Sequence, residues 1–240
     1  MFSQKWSFWM YMVGLVNLVA SLLMATVLKT GTQMGGSPEK RMAFIAGNSA
    51  LWIGAWMIWM GAAVFLLLHF AILKACFEED LGDSLGKGHK IWFFLAIMIG
   101  AAGICADTAS ETIFSTALVY ISQKGTSLSS TALYTSFWTD QFILWDRIAT
   151  CLTGFLGNGF YCLAGLIFNG IAFSVPTFPR PLAYGGLFLW FSGFALSLAT
   201  ILDTPLGMMI TTALTMALFV LWTFGVGHFY LALKEQKKNS

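Results

Sequence analysis

The stretch IWFFLAIMIGAAGICADTASETIF, residues 91–114, decides how the chain is read. From Ile91 to Ala106 it holds no charged side chain, and then Asp107 and Glu111 follow four residues apart. A bilayer crossing needs about 20 mostly apolar residues, and this run supplies them. A spacing of four keeps the two carboxylates on one helical face. That face continues back through Gly103, Gly100 and Ala96. Such small residues let a neighbouring helix approach where lipid gives no hydrophobic drive for pairing. The stretch predicts a spanning helix whose acidic edge is turned into protein.

The remainder of the chain has the same character. Of 240 residues, 58% are hydrophobic and only 10% charged, against about 25% charged in soluble domains. The mean hydropathy is +0.75. Six segments qualify as spans: about 6–28, 49–73, 91–113, 148–173, 182–202 and 206–233. The breaks between them are polar or helix-breaking, as in KTGTQMGGSPEKR, SVPTFPRP and the tight DTP at 203–205. The expected fold is all-α: one polytopic domain over 1–240, a six-transmembrane-helix bundle. The apolar run from Trp6 to Leu28 exceeds the ~7–15 residues of a signal-peptide core and reads as the first span.

Six crossings put both termini on one side. That side carries Lys5, Lys74, Lys87, Lys90, Arg180, Lys234, Lys237 and Lys238; the other carries Lys29, Lys40, Arg41, Lys124 and Arg147. The excess of basic residues predicts cytoplasmic termini, and the expected location is the cytoplasmic (inner) membrane of a bacterium. Residues 122–147 are expected to form an extracytoplasmic loop. Its second half carries Phe137, Trp138, Phe142 and Trp145, which suits an interfacial helix over about 136–146 or an aromatic belt anchoring the next span.

Polar stripes on several spans point to a candidate site. The fourth span offers Arg147, Asn158 and Tyr161, and the first offers Asn17. At a rise of ~1.5 Å per residue, Asp107 lies roughly 24 Å and Glu111 roughly 30 Å from Ile91, close to the outer edge of an about 30 Å hydrocarbon core. Arg147 opens the fourth span at that level, within reach of Glu111, Asp107 or Asp146. Asn17 and Asn158 come out near the midplane. The expectation is an outward-facing polar pocket with Arg147 at its rim, binding a small solute or ion. The competing expectation is a buried ion-pair cluster that only fixes helix register.

Other features carry weaker chemistry. His69 and His228 close the second and sixth spans at one depth, a spacing that would suit axial ligation of a b-type haem; the alternative is histidines facing headgroups. Trp52, Trp56 and Trp59 share one helical face, either a packing ridge or a stacking wall for a ligand. The four cysteines lack C-x-x-C spacing and read as packing residues. No Ser–His–Asp or clustered His/Asp ligand set stands out, and His89 lies in a loop. A net charge of +2 with no basic stretch interleaved with aromatics excludes nucleic-acid partners. A carrier of a small solute linked to a proton or cation ranks first. A non-catalytic subunit or cofactor-holding (b-haem) component of a membrane complex, contacting lipid and a membrane-protein partner, ranks second, and an enzyme third.

Overall fold

A computed structural model describes residues 2–82, 86–127 and 132–239. No strand occurs among them, and six helices are long and apolar enough to cross a membrane. In chain order the elements are α1 (Trp6–Gly31), a short α2 (Pro38–Gly47), α3 (Ser49–Leu81), α4 (Lys87–Gly125), α5 (Ser136–Ala172), α6 (Arg180–Ile201) and α7 (Pro205–Leu233). Ser7 Oγ donates to Gly227 O at 2.7 Å, so the start of the first span lies beside the end of the last. Below, "distal" means the end of the bundle away from that pair.

Two helices are longer than their hydropathy predicts. α4 runs 39 residues and α5 runs 37, roughly 58 Å and 55 Å, well beyond an about 30 Å hydrocarbon core. The expected loop over 122–147 is corrected accordingly. Its residues up to Gly125 continue α4, and a helix over Ala132–Thr150 leads directly into the rest of α5. The stretch 136–146 is helical and continuous with the span after it; residues 128–131 lie outside the described residues. These extra turns were hidden because they mix exposed polar groups such as Gln123, Lys124 and Asp140 with buried ones such as Ser122 and Asp146. Leu118, Val119, Ile121 and Ser122 are buried. A Cβ at Gly125 would come 2.1 Å from Met42 Cε on α2 and 3.0 Å from Trp138 Cβ on α5.

A desolvated ion pair fastens this distal cap. Arg41 Nη2 donates to Asp146 Oδ1 at 2.5 Å, with both side chains only 5% exposed. Arg41 Nε donates to Gly31 O at 3.0 Å, and its guanidinium sits 4.9 Å from the Phe142 ring centre. One side chain thus ties the end of α1, the short α2 and α5 together. A second link closes the distal turn between α6 and α7. Asp203 adopts a left-handed backbone (φ 53°), which short polar side chains tolerate better than others. Its Oδ1 accepts Arg147 Nη1 at 2.7 Å.

Two apolar cores flank the middle of the bundle. One, toward the termini, packs Phe70, Phe77, Phe93, Phe168, Trp190 and Trp222. The other, under the cap, packs Leu28, Ile45, Trp52, Trp56, Phe114 and Phe142. Three spans switch to a wider π-helical turn between or beside these cores: Met24–Leu28 in α1, Ile113–Ala117 in α4 and Cys151–Gly157 in α5. Each shows the i→i+5 bond that defines such a turn, Lys29 N–H to Met24 O, Leu118 N–H to Ile113 O and Asn158 N–H to Thr153 O.

Removing one member of a buried pair leaves the other charge uncompensated, at a cost of about 3–5 kcal/mol. Arg41→Ala is therefore expected to lower the thermal midpoint of the purified protein markedly. The double variant Arg41→Met with Asp146→Leu should recover most of the loss, as read by thermal unfolding in detergent.

Candidate functional site

Glycine contacts bring the polar groups together. On α4 and α5, Gly103 and Gly157 pack backbone to backbone. A Cβ at Gly103 would stand 3.0 Å from Gly157 O, and a Cβ at Gly157 would stand 3.3 Å from Gly103 O. At that separation Asp107 reaches across to α5. Its Oδ1 accepts the Thr153 hydroxyl, and its Oδ2 accepts Tyr161 Oη at 3.1 Å. Ser110 Oγ, three residues on, donates to Ala149 O at 2.8 Å and fastens the same pair of helices. Asp107 is 4% exposed. It lies midway along α4, not close to its distal end, because fourteen further residues of that helix follow Glu111.

These groups open onto a cavity of about 1000 Å³ that all six spanning helices line. Asp107, Thr153, Asn158 and Tyr161 form one polar wall, and Asn17 and Ser21 of α1 also line the cavity. Trp56, Trp59 and Trp190 supply aromatic surface; Met24, Met208, Met209 and Met216 supply flexible apolar surface. Lys29, Thr32 and Gln33 line the distal mouth. Every π-helical turn contributes to the lining, through Met24, Phe114 and Thr153.

The residues named from sequence divide into those the fold gathers and those it does not. Asp107, Tyr161, Asn158 and Asn17 all line the cavity. Asn158 Nδ2 donates to Gly193 O at 2.6 Å and to Ser197 Oγ at 2.9 Å on α6. Asn17 Nδ2 donates to Val13 O of its own helix at 3.0 Å. Glu111 is fully buried, one turn beyond Asp107, and neither carboxyl oxygen has a hydrogen-bond partner among the described residues.

Arg147 departs from expectation. It donates to Asp203 Oδ1, Thr200 O and Ile201 O at 2.7, 3.0 and 3.2 Å, so it caps the α6–α7 turn and joins neither Asp107 nor Glu111. The ion-pair cluster of Asp107, Glu111 and Arg147 is corrected in the same way. Buried charge pairing exists, but between Arg41 and Asp146.

The haem expectation is corrected as well. His69 is fully buried among Phe70, Phe219 and Trp222, the last two ring centres 5.3 Å away, whereas His228 is exposed; neither lines the cavity. Trp222 precedes His228 by six residues, roughly 9 Å along α7. Trp52 and Trp56 of the aromatic ridge are buried between helices. Trp52 Nε1 donates to Phe114 O at 2.7 Å, and Trp56 stacks on the Phe114 ring at 4.2 Å. No group of three or more His, Cys, Asp or Glu able to hold a metal occurs among the described residues.

Thr153 escaped the sequence reading. Counting back from Tyr161 in fours gives Gly157 and then Thr153, and that repeat was a usable signal. Arg41 and Asp146 had none, being far apart in sequence with no local pattern joining them.

The Gly103–Gly157 approach yields a direct test. A Cβ at Gly103 would also fall 2.7 Å from the Tyr161 ring. Overpacking of this kind costs about 1–3 kcal/mol. Gly103→Ala is expected to push Tyr161 away from Asp107 and lower the thermal midpoint, while Gly170→Ala, where a Cβ meets nothing within 4 Å, should not. Comparison with family models, with curated proteins and with solved structures finds no match to this chain.

Proposed function

We propose that the protein is a membrane carrier that moves a small solute in a cycle linked to a proton or another cation, with Asp107 as the group that binds the coupling ion or the charged part of the solute. The observation that supports this most is the placement of one carboxyl in the wall of a large cavity shared by all six spans. A carboxyl within a membrane bundle is costly to insert, about 2.5–3.5 kcal/mol even on insertion scales, and such residues mark ion or substrate pathways by default. Here it borders that cavity while almost wholly buried, and it is held by two side chains from the facing helix, Thr153 and Tyr161. A carboxyl serving only to lock helices together would be expected in a closed contact.

In this reading Thr153 and Tyr161 orient the carboxyl. Glu111, buried one turn away, is the second acid through which charge at Asp107 is adjusted. Asn17 and Asn158 line the path. Arg147 takes no part in binding and holds the α6–α7 turn. In this reading the termini are cytoplasmic, supported by the distribution of Lys and Arg between the two sides, and a bacterial inner membrane is the setting proposed for the carrier. The apolar outer faces of the spans, with Phe94, Tyr184 and Phe188 exposed, meet lipid.

The test is reconstitution of the full chain into liposomes carrying an imposed pH gradient. Alkali cations, primary amines, amino acids and sugars are then added in turn, and the gradient is followed with a fluorescent amine. At least one class should dissipate it faster than in protein-free liposomes. Asp107→Asn should abolish that effect, and Glu111→Gln should slow it about tenfold or more, roughly 1.4 kcal/mol in barrier height. Unchanged gradients for every class would remove the carrier reading, as would wild-type rates in Asp107→Asn.

A further inference from the structure

We infer that the ligand of this cavity is an organic cation, an ammonium-like head carrying apolar groups, admitted sideways between α1 and α7. This rests on the carrier reading in so far as it assigns the same cavity, and it names what that cavity accepts.

Hydrogen-bond bookkeeping around the wall sets the sign of the ligand. A wall group that has already given its hydrogen to protein can only accept from a ligand. Asn158 has directed both amide hydrogens to Gly193 O and Ser197 Oγ. Because Gly193 O can only accept, the nitrogen must lie there, and Oδ1, which takes the Cys162 thiol at 3.9 Å, has one further lone pair to offer. Ser21 donates to Asn17 O and Thr200 to Leu196 O, at 2.6 and 2.9 Å. Thr153 and Tyr161 both donate to Asp107. All of these line the cavity. Asn17 keeps one amide hydrogen beyond the one given to Val13 O, and the groups just named leave oxygen lone pairs around a carboxyl, a wall complementary to a donor-rich or positively charged group and unfavourable to an anion. The basic residue in the lining is Lys29, at the distal mouth, away from Asp107 in the polar wall.

Size and wall chemistry decide between a bare ion and an organic body. A volume of about 1000 Å³ is at the upper end of small-molecule sites, typically about 300–1000 Å³, and far beyond one metal ion. Most of the remaining lining is apolar, and it includes Trp56, Trp59 and Trp190 with Met24, Met208, Met209 and Met216. Aromatic faces attract cations within about 6 Å of the ring centre, and thioether side chains adapt to apolar groups of varied shape.

The entry route follows from which lining residues are also outside. Leu18 and Leu22 on α1 and Ile210 and Leu221 on α7 line the cavity, yet are 38%, 57%, 54% and 68% exposed. Toward the termini the two helices clasp tightly: a Cβ at Gly14 would collide with the Phe224 ring at 2.4 Å. The side opening therefore begins just distal to that contact and is edged by apolar side chains, a path for a molecule already dissolved in the bilayer.

The test uses the full chain in nanodiscs with two probes of matched size and opposite charge, tetraphenylphosphonium and tetraphenylborate, measured by equilibrium binding. Saturable binding of the phosphonium is expected, with the borate about tenfold weaker or worse and Asp107→Asn weakening the phosphonium by about tenfold or more. Thermal midpoints establish that each variant is folded; if Asp107→Asn is not, the phosphonium-to-borate ratio of the unaltered chain decides the cationic assignment by itself. Ala213→Trp, on the exposed α7 edge of the cavity, should slow association about tenfold. Equal binding of both probes, or full phosphonium affinity without the carboxyl, overturns the cationic assignment. Unchanged rates in Ala213→Trp overturn the side entry. Phosphonium binding with no solute-driven change in any pH gradient removes the carrier reading and leaves the ligand class standing. Gradient dissipation by another solute class without phosphonium binding does the reverse.

Discussion

The approach of α4 to α5 through Gly103 and Gly157 is the constraint on which the central architecture depends. With a side chain at either position the two backbones would stand further apart, and the Asp107 carboxyl would no longer meet Thr153 and Tyr161. In water such an approach would be driven by burial of apolar area. In lipid that drive is missing, and close packing with interhelical hydrogen bonds takes its place. The same principle recurs between α5 and α6, where Gly165 receives Trp190 and Gly193 receives Cys162. α5 is held on both sides by glycine contacts, and the polar face it carries is correspondingly well defined.

Against this tight seam stands an open one. The three π-helical turns all send residues into the cavity. A π turn widens the helix and shifts the residues after it around the axis. In α4 that shift follows immediately after Glu111, and the loosened turn is braced by side chains: Thr112 O accepts Ser115 Oγ at 3.4 Å and Thr116 Oγ1 at 2.6 Å. In α5 it places Thr153 opposite Asp107. The bundle is close-packed where glycines meet and opens where the helices widen, and the carboxyl lies at the boundary between the two.

How much of this could be read from sequence depended on whether the signal was local. Six spans followed from runs of apolar residues, and the inward face of α4 followed from the spacing of Gly100, Gly103, Asp107 and Glu111, all of them buried. Tyr161, Asn158 and Asn17 were found by the same periodicity. The distal ends of α4 and α5 were not legible. Hydropathy reads a polar residue as solvent-facing, whereas Ser122, Arg41 and Asp146 are polar and buried. Arg147 was misassigned because depth alone put it level with the acids. Depth does not fix direction around a helix, and the π turn of Cys151–Gly157 alters that direction just after Arg147. His69 and His228 failed as a pair for the same reason, one facing aromatic rings and the other the outside.

The two fasteners of the distal end differ in how they respond to ionic strength. Mobile ions screen charges they can surround, over about 8 Å at physiological salt and about 3 Å at 1 M, and affect enclosed pairs far less. Arg41 and Asp146 are enclosed; Arg147 and Asp203 are 33% and 56% exposed. Concentrated salt should therefore loosen the α6–α7 turn while α2 stays anchored. Gln33, which lines the mouth and bonds Asp203 Oδ1 at 3.5 Å, would lose its neighbour first, so the ionic strength of the solution bathing the distal face becomes an influence on how readily that mouth parts.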